Sequence, residues 1–279
     1  MTEAAIRVSP DWLALREPAD AAARARDLAQ QLARWLTPGA GLIVHDLGGG
    51  TGSMGRWLAP LLPGAQHWVI HDLDEALLDL AADRPPGPAA DGATVTVEPR
   101  RSDILRLTPR DLAGGGLITA SALLDMLTEH ELTALITLCG DAGCPVLFAL
   151  SVVGRVELAP AEPLDHRITA AFNAHQRRET ERGALLGPGA AAVAAAAFAR
   201  RGAEVLVRDS PWRLGERDAE LVREWLRGWV GAASEQEPAL SDEATAYSRR
   251  RLAQIASGRL EVTVGHADLL VLPGWSQSR

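Results

Sequence analysis

Short apolar runs alternate with helical patterns through the middle of the chain. Leu42–Leu47, His67–Asp72, Thr94–Glu98, Leu117–Ala122 and Val146–Val152 have the length and bounding turn residues of strands. Between them, Ser53–Leu62, Asp74–Ala82 and Glu129–Cys139 carry helical spacing. Strands alternating with helices predict parallel pairing through right-handed crossovers, and hence a doubly wound α/β sheet. Ahead of this pattern, Ser9 precedes Pro10 as a capping residue precedes proline at a first helical position. Leu28, Leu32, Trp35 and Leu36 then share one helix face, and Thr37-Pro38-Gly39 stops that helix.

Past the fifth strand the alternation breaks. Residues 155–186 read as a helical excursion. Ala190–Arg201 reads as an alanine-rich helix ended by Gly202, and Ala203–Arg208 as a sixth strand. Residues 212–257 form a second excursion, in which Leu221, Val222, Trp225, Leu226, Trp229 and Val230 make a wide apolar stripe. Leu260–Val264 and Asp268–Leu272 close the chain, read as a hairpin over Gly265-His266. The expected architecture is a mostly parallel, seven-stranded sheet. An N-terminal helical lid occupies residues 1–39, and one domain, 40–279, carries a helical cap built from the two inserts.

Composition narrows the chemistry. The 279 residues carry a net charge of −8, which disfavours non-specific nucleic-acid binding because phosphate neutralisation needs a basic surface. All 28 basic residues are arginine, so Schiff-base lysines and a P-loop lysine are excluded. Cys139 and Cys144 are too few for a disulfide framework or a structural zinc site, and no metal is expected. The start of the chain lacks a basic-then-apolar signal pattern, and no apolar run approaches the ~18 residues that span a bilayer. A soluble cytoplasmic protein without a membrane or nucleic-acid partner is expected, as a monomer or homodimer.

The informative segment runs from Val44 to Gly55, where the first strand turns into the first helix. Glycines there allow a tight bend and close approach of a ligand to backbone amides. Gly50, Gly52 and Gly55 satisfy the G-x-G-x-x-G dinucleotide fingerprint. Asp46, Gly48, Gly50 and Gly52 equally satisfy an acid-plus-glycine pattern, D-x-G-x-G-x-G. In this second pattern the chain resembles the class I S-adenosylmethionine-dependent methyltransferases, over residues 40–155 and more loosely beyond.

The resemblance implies an S-adenosylmethionine site made by Asp46, Gly48, Gly49, Gly50, Thr51 and Gly52, with Asp72 and Leu73 after the second strand. Asp72 stands where the family places an acid on the ribose hydroxyls. It also implies that Ser102, Asp103 and Ile104 sit at the adenine, and that Ser121 lines the cofactor after the fourth strand. S-adenosylhomocysteine would be the product. An acid before the turn would repel a pyrophosphate and attract a sulfonium or ammonium, which favours this cofactor over a nicotinamide. A plain structural role stays open for each acid. Asp46 could cap loop amides, Asp72 could start a turn, and Asp103 is an ordinary turn former. His45 and His71, inside strands, read as core histidines.

Methyl transfer needs a nucleophile placed in line and, for oxygen or thiol acceptors, a general base. Asp125, His166 and His175 are the catalytic candidates, and Asp125, Arg167, Asn173 and Trp212 the candidates for holding a small-molecule substrate. Trp12, Leu13 and Arg16 are placed as a lid by analogy. Two alternatives remain at this point: a nicotinamide-dependent oxidoreductase, and a cofactor-binding fold without catalysis.

Overall fold

The computed structural model describes residues 8–36 and 41–274; the Thr37-Pro38-Gly39 helix stop lies outside the described residues. Two helices, α1 (Pro10–Ala23) and α2 (Arg26–Trp35), precede the sheet. Leu28 and Leu32 of α2 are buried as their spacing requires, and Trp35 keeps 37% of its surface exposed. The strands are β1 (Leu42–Leu47), β2 (Gln66–Asp72), β3 (Val95–Arg101), β4 (Leu117–Ser121), β5 (Val146–Ala159), β8 (Glu204–Asp209), β9 (Trp212–Leu214) and β10 (Glu261–Leu272). A two-stranded ribbon, β6 (Glu179–Thr180) with β7 (Gly183–Ala184), lies apart.

The main sheet runs β3-β2-β1-β4-β5-β10-β8, with β9 also pairing β10. Pairs from β3 to β5 are parallel, and β10 is antiparallel to every neighbour. This is the doubly wound, mostly parallel path expected. Leu58, Leu62 and Trp68 pack with α2 and α3 (Ser53–Leu58) on one face. On the other face, Ile118, Phe148 and Leu269 pack against α5 (Glu129–Ala142) and α7 (Ala190–Arg200). The helix start at α5 is written locally: Thr128 Oγ1 accepts from the Glu131 N–H, while the Glu131 side chain returns to the Thr128 N–H. α4 (Glu75–Asp83) begins at Asp74, whose carboxylate accepts from the Ala76 N–H.

Two expectations are corrected. The closing hairpin does not exist, because β10 is one continuous strand with irregularities around Gly265 and Asp268. Gly265 serves close approach, not reversal: a Cβ there would lie 2.9 Å from Val153 Cγ2 and 3.1 Å from Arg155 Cβ. Long β10 is possible because β5 runs on to Ala159, so the first excursion is a strand extension before it is helical. Its helix is α6 (Leu164–Gln176). The second excursion begins with β9 and continues as α8 (Ala219–Gln236) and α9 (Ser241–Ala256).

These cap helices have a core of their own. The α8 stripe is buried, with Trp225 and Trp229 stacked at 5.0 Å between ring centroids. At the centre Asp165 accepts from Tyr247 Oη at 2.6 Å and pairs with fully buried Arg251, joining α6 to α9. Among the described residues no helix is long and apolar enough to cross a membrane.

Candidate functional site

β1 delivers Asp46, fully buried, to the carboxyl edge of the sheet. Its Oδ1 accepts from Thr119 Oγ1 at 2.7 Å, and its Oδ2 has no partner among the described residues. Burial pushes its pKa up to about 7, against the pull of the Thr119 hydroxyl and Arg24. The following turn needs its glycines for two different reasons. Gly48, Gly50 and Gly52 have φ of 63°, 52° and 77°, the left-handed region. Gly49 is required by proximity, since a Cβ there would meet Asp46 Oδ2 at 2.6 Å and Ile70 Cγ2 at 2.7 Å.

Asp72, at the end of β2, moors this turn to the next. Its Oδ2 accepts from the Gly50 N–H and its Oδ1 from the Asp74 N–H, both at 2.9 Å. Leu73 beside it is 50% exposed, an apolar side chain with no core to join. Thr51 is buried within the turn. Asp103 caps a short turn by accepting from the Leu105 N–H, with Ile104 half-buried after it. Ser102 is engaged elsewhere. Its Oγ lies 2.8 Å from His71 Nδ1, and His71 Nε2 lies 3.0 Å from His45 Nδ1, a buried chain across three strand ends. The two histidines are core residues, as their strand positions predicted.

α1 lies across the glycine turn. Glu17 takes a two-pronged hydrogen bond from Arg56 of α3, and Leu13 Cδ1 comes within 3.5 Å of where a Gly50 Cβ would be. A cleft of about 450 Å³, open solvent included, separates Pro10, Asp11 and Ala14 of α1 from Thr51, Leu80 and Arg84. At the end of α1 stands a residue the sequence did not reveal. Arg24 is buried, donates to Ser121 Oγ at 3.0 Å and Ser53 Oγ at 3.3 Å, and lies over the Trp57 ring. It makes no ion pair among the described residues, and burial presses its pKa down. Asp20, Asp268 and Asp46 offset that shift from beyond contact distance, so the guanidinium has anionic neighbours but no carboxylate in contact.

The acceptor-side candidates separate into two groups. Asp125 lies in the short turn after β4, and Gln176 Nε2 donates to its Oδ2 at 3.4 Å. Burial raises its pKa to about 6, against the nearby charge of Arg16. Asn173 of α6 is packed on Gly154, with Nδ2 donating to the Gly154 carbonyl at 2.8 Å. Trp212 is buried, donates to Asp20 Oδ1 at 2.9 Å, and lies 5.1 Å beneath the Arg16 guanidinium. Trp12 meets it edge-on, and His266 packs 5.3 Å from it. The structure does not bring the remaining three to Asp125. His166 is exposed, Arg167 holds Glu237 and Glu243 on the outside of the cap, and His175 pairs with Glu235 of α8. Position along α6 and helix phase together explain the split: Asn173 and Gln176 stand in the last turn, His166 shares the Asn173 face but is exposed in the first turn, and Arg167 and His175 fall off that face.

The strand order, the antiparallel β10 and the acid-plus-glycine turn after β1 make a doubly wound α/β fold that matches the methyltransferase arrangement the sequence resemblance implies. No protein-family model matches the chain, and no curated protein matches it by sequence. Among solved structures, the chain is similar to an S-adenosylmethionine-dependent methyltransferase from Geobacter sulfurreducens in complex with S-adenosylhomocysteine. That similarity has 17% identity, covers 95% of this chain and 98% of that one, and has a TM-score of 0.45. A Thiobacillus denitrificans methyltransferase, also in complex with S-adenosylhomocysteine, is 16% identical over 95% and 99% of the chains, with a TM-score of 0.46. A cyclopropane synthase from Mycobacterium tuberculosis is 13% identical over 88% and 82%, with a TM-score of 0.45.

Proposed function

We propose that this chain is an S-adenosylmethionine-dependent methyltransferase acting on a small molecule through oxygen or nitrogen. One observation carries the reading. At the carboxyl edge of the sheet, Asp46 has a buried oxygen without a partner, and buried Arg24 has no carboxylate in contact. A zwitterionic ligand end with ammonium, sulfonium and carboxylate complements that pair of opposite charges. A pyrophosphate would instead meet two carboxylates, Asp46 and Asp72, at the turn.

S-adenosylmethionine supplies a methyl group already activated on sulfur, displaced in line by a nucleophile. The chain's residues have the rest to do. In this reading Gly48–Gly52 admit the ligand against the backbone, Asp72 holds the ribose, and Leu73, Asp103 and Ile104 flank the adenine. Arg24, positioned by Ser121 and Ser53, answers the carboxylate. α1 serves as a lid whose Leu13 and Arg16 exclude water from the transfer. Asp125, with its raised pKa, accepts the proton that an oxygen or nitrogen acceptor loses.

Calorimetry tests the reading. S-adenosylhomocysteine should bind in the micromolar range, NAD and NADP should not, and Asp72→Ala should weaken binding by about 1–3 kcal/mol through lost charge-assisted hydrogen bonds. Binding of a nicotinamide cofactor alone would overturn the proposal.

A further inference from the structure

One arginine joins three segments around the glycine turn. Arg56 of α3 donates from Nε to Glu17 Oε1 at 2.6 Å and from Nη2 to Glu17 Oε2 at 2.8 Å, which holds α1. Its Nη1 donates to the Thr51 carbonyl at 2.5 Å and to the Arg84 carbonyl at 3.0 Å, which holds the turn and the end of α4. The two side chains are only 14% and 17% exposed, so the pair is screened less than a surface ion pair. Beside this pair α1 covers the turn. The position a Gly50 Cβ would take lies 3.5 Å from Leu13 Cδ1, 3.9 Å from Leu77 Cδ1 and 4.0 Å from Asp72 Oδ2. Leu13 therefore sits over Gly50 next to the carboxylate assigned to the ribose, in space that a nucleoside held by Asp72 would need.

Resting on the methyltransferase reading of this site, we propose that Glu17 and Arg56 form a latch, and that the half of α1 before Pro18 is a gate that lifts to admit and release the cofactor. The helix has one weak point. Pro18 has no N–H, so its bond to the Ala14 carbonyl is missing. After Pro18 the chain is moored: Asp20 accepts from Trp212 Nε1, Arg24 donates to Ser53 and Ser121, and the Ala25 N–H donates to Asp268 Oδ2 at 2.8 Å. Before Pro18, Glu17 alone makes a side-chain hydrogen bond outside α1 among the described residues. Arg16 reaches across the break only to Asp20 of the same helix, and Trp12 and Leu13 add apolar contact. Opening one ion pair thus frees the end of α1 that carries Leu13. Closing it over a bound nucleoside restores the turn as well, because the same guanidinium holds the Thr51 carbonyl. The latch is made entirely by the protein, so its loss changes exchange rates more than affinity.

The test is stopped-flow tryptophan fluorescence of the full chain with S-adenosylhomocysteine. Glu17→Gln keeps the shape and removes the charge, and should raise association and dissociation rates by about fivefold or more while Kd moves by less than about threefold. Glu237→Gln, which opens the Arg167 pair on the outside of the cap, should leave both rates unchanged. Unchanged rates in Glu17→Gln overturn the latch. So does a dissociation rate that rises in step with Kd at constant association, since that is plain loss of a contact. Amide hydrogen exchange reads the gate without a ligand. Residues 13–17 should exchange about fivefold faster or more in Glu17→Gln, while α2 keeps its protection, which separates the outcome from misfolding. If S-adenosylhomocysteine fails to bind the parent chain, the methyltransferase reading falls and hydrogen exchange decides the latch alone, equal exchange in the two chains overturning it.

Discussion

Asp46 gives the sharpest quantitative test of the cofactor reading. In the free protein its carboxyl has a pKa of about 7, because burial removes water and only the Thr119 hydroxyl compensates one oxygen. If the ligand's ammonium is answered by the ionised acid, binding must draw off the proton. With that pKa, about 3% of Asp46 is ionised at pH 5.5 and about half at pH 7. The affinity for S-adenosylhomocysteine should thus rise about 16-fold over that interval, roughly 1.6 kcal/mol. The ligand's α-amine is a free amino-acid amine, more basic than the about 7.7–8.0 of a chain's α-amino group, so it stays protonated throughout. Calorimetry in two buffers of different ionisation enthalpy should find close to one proton released per ligand at pH 5.5. Asp46→Asn should flatten the profile and abolish the release. A profile flat in the parent chain, or equally steep in the asparagine variant, would refute the reasoning.

Three further outcomes follow from packing and titration. Gly49→Ala should destabilise the fold by about 1–3 kcal/mol in urea unfolding and remove S-adenosylhomocysteine binding, because its Cβ collides with Asp46 and Ile70; Gly87→Ala, with nothing within 4 Å, is the neutral control. Arg251→Met should cost about 3–5 kcal/mol by stranding the buried Asp165 carboxylate, and an Asp165→Asn change in the same chain should recover part of it. His71, buried against His45, has its pKa pressed down to about 4 from the ordinary 6.5. The unfolded chain therefore binds the extra proton between those values, so this residue's share of stability falls as pH drops from 6.5 towards 4, by up to about 3 kcal/mol. His71→Gln should unfold with a visibly shallower acid dependence, and an unaltered slope would count against the buried neutral pair.

What the sequence disclosed was whatever is local. The apolar run Leu42–Leu47 and the glycines after it specify strand and turn within a dozen residues, so both were legible. The Thr128–Glu131 capping box and the α8 stripe are local in the same sense. The closing strand was misread because its identity depends on distance. Gly265 looks like a turn residue until Val153 and Arg155, more than a hundred positions earlier, are seen to press against its Cα. Nor could the end of β5 be located from its own pattern, since its outer half is stabilised by pairing with β10.

The same physics separates the two halves of the candidate site. On the cofactor side, Asp46, Asp72 and the glycines are close in sequence because one strand–turn–helix unit and its neighbour contain them. The opposing charge, Arg24, is not close to them. It sits in an alanine-rich helix end that looks like any solvated arginine, and it becomes exceptional only because its hydrogen bonds reach Ser53 and Ser121, 29 and 97 residues away. On the acceptor side a usable signal was present: Asn173 and Gln176 are two amides at i, i+3, which share a helix face. His166 and His175 drew more attention because histidine titrates near neutrality, yet both face the cap's exterior or α8. Titration behaviour belongs to a residue type, whereas reaching a site depends on helix phase and on position along the helix. In this chain the amides stand in the last turn of α6 and His166 in its first, and Asp125, held in place by Gln176, is left as the group whose burial gives it a pKa within reach of neutral pH.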